Sequence, residues 1–238
     1  GTLALADNSP FLANNYTLAY TKASLTISKR AITVTSASAS KTYDGTALTS
    51  TSTGSVTSGS LVSGHTITVT NTGTITNAGS TANTLNTVVV KSGSTDVTAN
   101  YNITKANGTL KVNKRTLTVK AEAKSKTYGE ANPSLTYTYS GQVSGQTPKF
   151  TGELATSATA TSGVGSYDIT VGTLALADNS PFLASNYTLA YTKASLTINV
   201  KNASTFTVTL DPTSYTYDGT AKTPTATVKD GSTTLTAN

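Results

Sequence analysis

GTLALADNSPFLASNYTLAYTKASLTI, residues 172–198, repeats almost letter for letter the stretch GTLALADNSPFLANNYTLAYTKASLTI at residues 1–27. The two stretches differ only where Ser185 stands in place of Asn14, so Gly172 is the equivalent of Gly1. An internal repeat of this length indicates a tandem array. The repeating unit, and not the chain as a whole, therefore decides the fold.

The long period from Gly1 to Gly172 divides into two related halves. Tyr43 and Tyr128 lie in equivalent motifs, and so do Tyr101 and Tyr187. The members of each pair are separated by half of the long period, so the array alternates two kinds of repeat. The chain then divides into the end of a repeat at 1–28, complete repeats at 29–113 and 114–200, and the start of a further, divergent repeat at 201–238.

The composition favours folded β structure over disorder. Hydrophobic residues make up 36% of the chain and charged residues only 12%, with a net charge of +6. Many threonines alternate with Val, Ile, Leu or Tyr, which is the period of a half-buried strand. No segment shows an apolar stripe of helical period and length. We predict strands at 31–35, 65–71, 84–90, 101–104, 108–112, 114–119, 135–139, 149–153, 167–171, 186–189, 196–198 and 206–210.

The first segment shows the same alternation. Strands are predicted at Leu3–Leu5, Tyr16–Tyr20 and Ala23–Ile27, with a turn at Asn8–Pro10. Because only Thr21-Lys22 separates the second and third of these strands, we predict that they form a β-hairpin.

The pattern as a whole predicts an all-β protein made of tandem small β-sandwich modules, immunoglobulin-like, in an elongated rod. Each repeat has about five to seven short strands separated by Gly, Asn and Ser, which is typical of such modules. Short linkers are expected near Lys29, Lys114 and Lys201. A β-grasp-like module is the alternative fold.

The composition also excludes several kinds of function. The chain has no Cys, which excludes disulfides and thiolate chemistry. No run approaches the roughly 18–20 apolar residues that span a bilayer. The two arginines, Arg30 and Arg115, and the scattered lysines do not form the clustered basic surface expected for nucleic-acid binding.

The first complete repeat resembles a known bacterial family. Lys41-Thr-Tyr-Asp-Gly-Thr46, Asn100-Tyr-Asn-Ile103 and Gly108-Thr-Leu-Lys-Val112 resemble, in order and spacing, the YDG-type repeat. Residues 203–238, which carry a second Tyr-Asp-Gly-Thr at 217–220, are similar to another bacterial Ig-like repeat.

The second complete repeat resembles the YGX-type repeat of the MBG domain family. The resemblance rests on Lys126-Thr-Tyr-Gly-Glu-Ala-Asn-Pro-Ser-Leu135, Gly165-Ser-Tyr-Asp-Ile-Thr-Val171 and Asn186-Tyr-Thr-Leu189. The chain departs from the family at Gly145-Gln146-Thr147, where YGX-type repeats usually have Gly-Asp-Thr. This departure weakens any role built on the missing acid.

These resemblances imply long bacterial adhesins, secreted or on the cell surface, whose repeats form stalks. They imply no catalytic residue, no cofactor and no metal site, so we expect a structural protein and not an enzyme. The expected partners are neighbouring repeats of the same chain. One alternative is a module that binds host or matrix glycans or proteins through Tyr137, Tyr139 and Tyr167. The other is a self-assembling extracellular filament, in which residues 201–238 of one copy are completed by residues 1–28 of the next.

The motif Tyr43-Asp44-Gly45 recurs as Tyr217-Asp218-Gly219, with a related Tyr128-Gly129-Glu130 between them. We predict a tyrosine packed at the end of a module with its hydroxyl bonded to backbone, followed by an Asp-Gly turn. An acidic ligand site is the alternative. His65 is the only histidine, so a catalytic triad or a zinc site is not expected there, and a place at the surface or at the start of a strand is.

Three further hypotheses concern scattered residues. The acids form no calcium-loop motif, although distant acids could still meet at a module junction to bind Ca²⁺. An intramolecular Lys–Asn isopeptide bond would suit a stalk under load, but no motif selects a pair. The glycosylation sequon is matched at Asn15–Thr17, Asn102–Thr104, Asn107–Thr109, Asn186–Thr188 and Asn202–Ser204. Chance matches are expected in a chain so rich in Asn and Thr, and in a bacterial protein we expect most of them to be unmodified.

Overall fold

The computed structural model describes residues 3–235. Strands make up half of it, and no α-helix occurs among these residues. Short 3₁₀ turns lie at Ala13–Asn15, Thr98–Asn100, Ala184–Asn186 and Ala203–Thr205. The prediction of an all-β fold is confirmed, as a set of small sheets.

Strands overlap every stretch that the alternation predicts from residue 31 onward. Between residues 30 and 113 they are β1 (Arg30–Ser36), β2 (Ala39–Thr42), β3 (Leu48–Thr49), β4 (Gly54–Gly59), β5 (His65–Thr72), β6 (Thr74–Ile75), β7 (Gly79–Ser92), β8 (Thr95–Asp96), β9 (Tyr101–Ala106) and β10 (Gly108–Asn113). Between residues 115 and 199 they are β11 (Arg115–Ala121), β12 (Lys124–Thr127), β13 (Tyr137–Ser140), β14 (Lys149–Thr151), β15 (Ala155–Thr156), β16 (Gly165–Thr170), β17 (Ala175–Ala177), β18 (Tyr187–Thr192) and β19 (Ala194–Asn199). The last are β20 (Thr207–Asp211), β21 (Thr225–Asp230) and β22 (Thr233–Leu235).

The strands form small sheets that contain both antiparallel and parallel pairs. Their orders are β4-β1-β9, β2-β10-β7-β5 with β8 on β7, β13-β11-β18, β12-β19-β16-β15, β14-β17, β20-β21-β22 and β3-β6. The parallel pairs include β1 with β9, β11 with β18, and β12 with β19.

The chain has two compact units. Unit 1 comprises residues 1–39, 49–74 and 81–110, and unit 2 comprises residues 40–48, 75–80 and 111–238. Unit 2 therefore includes two short segments from the middle of the first complete repeat. The two compact units therefore do not coincide with the repeat segments that the sequence predicts. The division into four repeat segments stays a prediction.

The core of unit 1 is built from two sheets. Ile32 and Val34 of β1 pack with Tyr101 of β9 and with Val88 and Val90 of β7, and all five side chains are buried. Period-two alternation explains this arrangement, because every second side chain of a strand faces the same side. The two sheets bury one apolar layer between them, as in a small sandwich.

Unit 2 repeats the arrangement with different side chains. Ala121 of β11 and Ile169 of β16 share a buried cluster with Leu196 and Ile198 of β19. A second cluster in unit 2 surrounds Phe182 and contains the candidate functional site.

The two copies of the repeated segment adopt different structures, and the hairpin prediction is wrong. Residues 16–27 form no strand, whereas in the second copy β18 pairs with β11 and β19 pairs with β12 and β16. The two strands therefore belong to different sheets and are not hairpin partners. No strand forms at Leu3–Leu5 either. These strands depend on partners distant in sequence, which the first copy does not have within unit 1.

One part of the segment folds the same way in both copies. The turn predicted at Asn8–Pro10 is present, closed by an isolated bridge between Asn8 and Phe11, and Asn179 and Phe182 form the same bridge. In the first copy the Ala13 N–H donates to the Asp7 carboxylate at 2.6 Å, and Ala184 and Asp178 make the same bond at 2.8 Å. This loop is therefore encoded by local hydrogen bonds.

We expect the two copies to respond differently to the same substitution. Ile198 is 1% exposed and Ile27 is 90% exposed. Ile198→Ala should lower the free energy of unfolding by about 2–5 kcal/mol, because it leaves a cavity in a packed core. Ile27→Ala is the matched control and should change it little, because this side chain is exposed. Urea unfolding followed by circular dichroism measures both, and equal effects would contradict the partner-dependent account.

Candidate functional site

The candidate site is the Tyr43 junction, which we define as Tyr43, Asn77, Gln146, Asn186 and Tyr187. All five residues belong to unit 2. Tyr43 and Asn77 come from the segments 40–48 and 75–80, whereas the other three come from the YGX-like part of the chain. The junction therefore joins two short segments of the first predicted repeat to residues of the second predicted repeat within unit 2.

Tyr43 reaches the junction from a tight turn after β2. Its backbone N–H donates to the Asn113 carbonyl at 2.9 Å, which continues the ladder beyond the strand. Gly45 has φ of +82°, which favours glycine. A Cβ on Gly45 would also lie 3.2 Å from a methyl group of Val143. Glycine thus allows both the turn and the close approach to the facing surface.

The aromatic rings fill the centre of the junction. Tyr43 is 3% exposed, and its ring lies edge-on to Tyr187 with the centroids 5.6 Å apart. On its other side Tyr187 stacks on Phe182 at 4.7 Å. These are the offset and edge-to-face geometries that aromatic rings favour.

Gln146 joins the two tyrosine hydroxyls. Its Nε2 donates to the Tyr43 hydroxyl at 2.8 Å, and its Oε1 accepts from the Tyr187 hydroxyl at 2.7 Å. The Tyr187 hydroxyl also accepts from the Val143 N–H at 3.1 Å. Burial raises the pKa of Tyr187 above its ordinary value. A primary amide suits this position because it offers a donor and an acceptor at once.

Asn186 supplies the second polar contact. Its side chain is fully buried, its Nδ2 donates to the Asn77 side-chain oxygen at 3.0 Å, and its Oδ1 accepts from the Ala78 N–H at 2.7 Å. A buried amide is costly unless its groups are paired. These two bonds therefore fix the 75–80 segment against the residues before β18.

The acid of the motif caps the turn. The Asp44 carboxylate accepts from Lys41 Nζ at 2.7 Å and from the N–H and hydroxyl of Thr46 at 2.9 and 2.8 Å. Lys41 first, and then Thr46, hold the pKa of Asp44 well below its usual range. The predicted Asp-Gly turn is therefore present. The Tyr43 hydroxyl, however, bonds to a side-chain amide and not to backbone as predicted.

The motifs at Tyr217 and Tyr128 also contain a glycine turn but not a buried ring. Gly129 and Gly219 have φ of +88° and +78°. Tyr217 is 93% exposed, and Tyr128 is also exposed. The Asp-capped turn thus recurs at Tyr217, and Tyr128 has a glycine turn of its own. Burial of the tyrosine requires in addition a facing surface like that of Gln146 and Tyr187.

His65 occupies the position equivalent to Gln146 in the first repeat. It begins β5, as predicted, and its Nδ1 lies 2.7 Å from the Tyr101 hydroxyl. That hydroxyl accepts from the Val62 N–H at 3.0 Å, as Tyr187 does from Val143. Sequence reasoning missed the role of Gln146 and Asn186, although the departure from Gly-Asp-Thr at Gln146 marked the position.

The three candidate tyrosines for ligand binding do not form one cluster. Tyr137 and Tyr139 each contact Phe150 with centroids 5.3 Å apart. Tyr167 instead borders the Ile169 core, and its hydroxyl donates to the Gly163 carbonyl.

Two hypotheses about scattered residues gain no support. Within residues 3–235 no three acidic or histidine side chains are grouped as metal ligands would be. Lys126 is buried, but its Nζ donates to the carbonyls of Glu130 and Thr159 and faces no asparagine amide in these bonds. Junction calcium and an isopeptide bond therefore stay predictions.

We expect the Tyr43 hydroxyl to stabilise unit 2. Tyr43→Phe removes the acceptor of a half-buried amide hydrogen and should lower the free energy of unfolding by about 1 kcal/mol. Tyr217→Phe, at an exposed copy of the motif, is the matched control and should have no measurable effect. Urea denaturation of the two variants checks this, and an unchanged midpoint for Tyr43→Phe would contradict a bonding role for the hydroxyl.

We also expect the Asp44 carboxylate to titrate unusually low. Because its pKa is lowered in the folded state, its contribution to stability is present above the unfolded value of about 3.9 and is lost as the pH falls through the folded value. Lys41→Met should move the midpoint upward, since Lys41 is the main cause of the shift. Carbon-13 NMR of the side-chain carboxyl measures both midpoints. An ordinary midpoint in the unsubstituted chain would refute this arrangement.

Comparison with known proteins gives a family resemblance for part of the chain. Within residues 3–235 no helix is long and apolar enough to cross a bilayer. No curated protein and no solved structure matches the chain. Residues 117–197 match the family model MBG domain (YGX type), and MBG domains are repeat domains of adhesin-like proteins. The match confirms that the segment supplying Gln146, Asn186 and Tyr187 is similar to an MBG repeat of the YGX type; the YDG-type and Ig-like resemblances stay predictions.

Proposed function

We propose that the chain is a spacer segment of a bacterial adhesin, located at the cell surface or secreted, in which contacts of the Tyr43 type join successive repeats. The observation that carries this proposal is the burial of Tyr43 from one repeat against Gln146 and Tyr187 of the next. A spacer must hold each repeat in a fixed position relative to its neighbours. A ring and two bonded amides between adjacent repeats meet that requirement without any catalytic group.

The junction supports this role because its parts restrain different motions. The ring of Tyr43 packs edge-on against Tyr187 and resists separation, since separation would expose apolar surface to water. The bonds of Gln146 and Asn186 are directional and resist rotation or sliding. A flexible linker of small polar residues would offer neither restraint.

The recurrence of the motif also supports the proposal. The Asp–Thr turn after Tyr43 is formed again after Tyr217, where the N–H and hydroxyl of Thr220 donate to the Asp218 carboxylate. Tyr128 is also followed by a glycine of positive φ, in a different turn. Each complete repeat thus carries the motif tyrosine at one place. At another place it carries a hydrogen-bonded pair that can receive a tyrosine hydroxyl, namely Tyr187 with Gln146 or Tyr101 with His65. A contact whose two surfaces are both present in every repeat can form between any two neighbours of an array. The near-identity of residues 1–27 and 172–198 indicates duplication, which suits a spacer whose length changes with the number of repeats.

The surface chemistry fits a protein that is exposed to solvent. Acidic and basic side chains pair locally on the surface, as Lys193 does with Asp168 at 2.7 Å and Lys41 with Asp44. Such exposed pairs add little stability. Threonine hydroxyls on outward faces bond across strands, as Thr35 does with Thr57 at 2.8 Å, which keeps the strands soluble at low charge.

The experiment that tests the spacer role measures motion across the junction. The chain has no native Cys, so Ser40→Cys and Thr197→Cys, at exposed positions of β2 and β19 within unit 2, can carry two spin labels. Double electron–electron resonance should give one narrow distance distribution. Adding Tyr43→Ala should broaden it, because the central ring is lost, whereas adding Tyr217→Ala should not. A broad distribution in the parent chain would contradict the proposal.

Binding of host or matrix glycans stays a prediction. Tyr137 and Tyr139 share Phe150, and Tyr137 lines a cavity of about 380 Å³ with Leu135 and Glu153. An aromatic ring beside a carboxylate is compatible with a sugar, but the same rings also pack on one another. The Tyr43 junction carries the stronger functional argument.

A further inference from the structure

Unit 1 contains two buried side-chain oxygens that accept no hydrogen bond from the described residues. They are the Oδ1 atoms of Asn71 and Asn83. Asn83 is 1% exposed and Asn71 is 9% exposed. A buried amide oxygen that lacks a donor destabilises the folded state, so each of these atoms requires a partner.

The two amides are neighbours on the inner face of one sheet. β5 pairs with β7, and Asn71 lies opposite Leu85, which is two residues along β7 from Asn83. All three side chains are buried, so they face the same side. Asn71 and Asn83 are thus diagonal neighbours, whose Cα atoms lie roughly 7–8 Å apart in an antiparallel pair. Their side chains extend into that interval, and one water molecule bonded to two oxygens spans about 4.5 Å between them.

The nitrogens of the two amides fix their orientation. Asn71 Nδ2 donates to the carbonyls of Thr51 and Thr53, each at 2.7 Å. Asn83 Nδ2 donates to the Ala37 carbonyl at 2.7 Å. All three neighbours are acceptors, so turning either amide over would set one carbonyl oxygen against another. The atom of each amide that lacks a partner is therefore an acceptor, and what it needs is a donor.

The same nitrogens bind adjoining parts of the facing sheet. The Ala37 N–H donates to the Thr53 carbonyl at 3.0 Å, which extends the pairing of β1 with β4 by one residue. Asn71 binds one residue of this bond and Asn83 binds the other. The two amides therefore hold the end of one sheet against the inner face of the other, and their oxygens are buried beside this contact.

The second repeat has an apolar side chain at the equivalent place. Aligning the repeats on Gly79 and Gly165, which begin β7 and β16, places Ile169 at the position of Asn83. Ile169 is fully buried in an apolar cluster of unit 2 and needs no donor. The first repeat differs from the second by having an amide in this layer.

We propose that unit 1 binds a buried water molecule that donates one hydrogen to Asn71 Oδ1 and the other to Asn83 Oδ1. Water is a compact donor of two hydrogen bonds, and buried waters characteristically pair polar groups that lack protein partners. Calcium fits less well, because two neutral amide oxygens supply none of the carboxylates that calcium sites use. The layer between the sheets is thus bridged by water in the first repeat and dry at the equivalent place in the second. This inference goes beyond the spacer role and does not rest on it.

NMR detection of contacts between water and the whole chain tests the site. The side-chain amide protons of Asn71 and Asn83 should show cross-relaxation with water, with the negative NOE of a long-lived bound molecule. An ROE of opposite sign distinguishes this effect from proton exchange. The amide of Asn86, at an exposed position of β7, is the internal control and should show no such NOE. A missing NOE at Asn71 or Asn83 would overturn the proposal.

Ser36→Ala removes a competing source of the signal. The Ser36 hydroxyl donates to the main-chain carbonyl of Asn83, and a hydroxyl proton that exchanges with water can relay the same effect. Ala121 is the equivalent residue of the second repeat, so alanine is compatible with this packing. The NOE at Asn71 and Asn83 should persist in this variant. Its loss would assign the signal to the hydroxyl and would overturn the proposal.

Asn83→Ile tests whether one water is shared by both amides. Made in the Ser36→Ala chain, it reproduces the Ala121 and Ile169 pair of the second repeat, and the NOE at Asn71 should be lost. Asn86→Ile in the same chain is the matched control, since it alters an exposed position of the same strand, and the NOE at Asn71 should remain. Persistence at Asn71 in the Asn83→Ile chain would overturn the shared site.

A monovalent cation is the other occupant that neutral oxygens could hold. Replacing sodium and potassium ions by N-methylglucamine at constant ionic strength should leave the midpoint of urea unfolding unchanged, because water remains in excess. A lower midpoint in N-methylglucamine would assign the site to a metal cation and would overturn the proposal.

Discussion

Each complete repeat depends on a parallel pairing between its beginning and its end. Arg30 meets Tyr101 and Arg115 meets Tyr187, so most of each repeat lies between its paired strands. Parallel strands need a long crossover, so this pairing is available only when nearly all of a repeat is present. The buried layer, the two-sheet arrangement and the placement of the Tyr187 hydroxyl all follow from this one closure.

This parallel pairing distinguishes two kinds of structure in the chain. Some turns and loops are specified by their own residues, whereas other segments form strands only when a distant partner strand is present. The loop with the Asn8–Phe11 bridge and the turn after Tyr217 form wherever their residues occur, because side-chain carboxylates and glycine define them. Leu25 and Tyr217 show the other case, since their apolar surface is buried only when a complementary strand or cradle is supplied. Stability in this chain is therefore a property of completed pairs of segments and not of single motifs.

This distinction explains how much could be predicted from the sequence. Period-two alternation predicted the all-β class, and each stretch that it predicted from residue 31 onward overlaps a strand, because alternation reports burial of one face. It missed other strands, including β4 and β21. It gave no information on which strand lies next to which. Tyr16–Tyr20 and Ala23–Ile27 were paired as a hairpin only because they are adjacent in sequence, whereas their copies β18 and β19 enter different sheets. In the same way, the turn chemistry of Asp44 and Gly45 is local and could be foreseen, whereas the partners of Tyr43 lie far along the chain and no periodicity connects them.

Gln146 stands where the resemblance to YGX-type repeats leads us to expect an aspartate, and this difference has a chemical consequence for the joint. An aspartate at position 146 would gain a proton as the pH falls. Its ionised carboxylate only accepts hydrogen bonds, whereas the protonated carboxyl group also donates one. The amide of Gln146 has no such equilibrium, and burial raises the pKa of Tyr187, so its hydroxyl keeps its proton further into alkali than a free phenol does. The bond between Gln146 and the Tyr187 hydroxyl therefore does not depend on a group that gains a proton as the pH falls, so acidification leaves this connection in place.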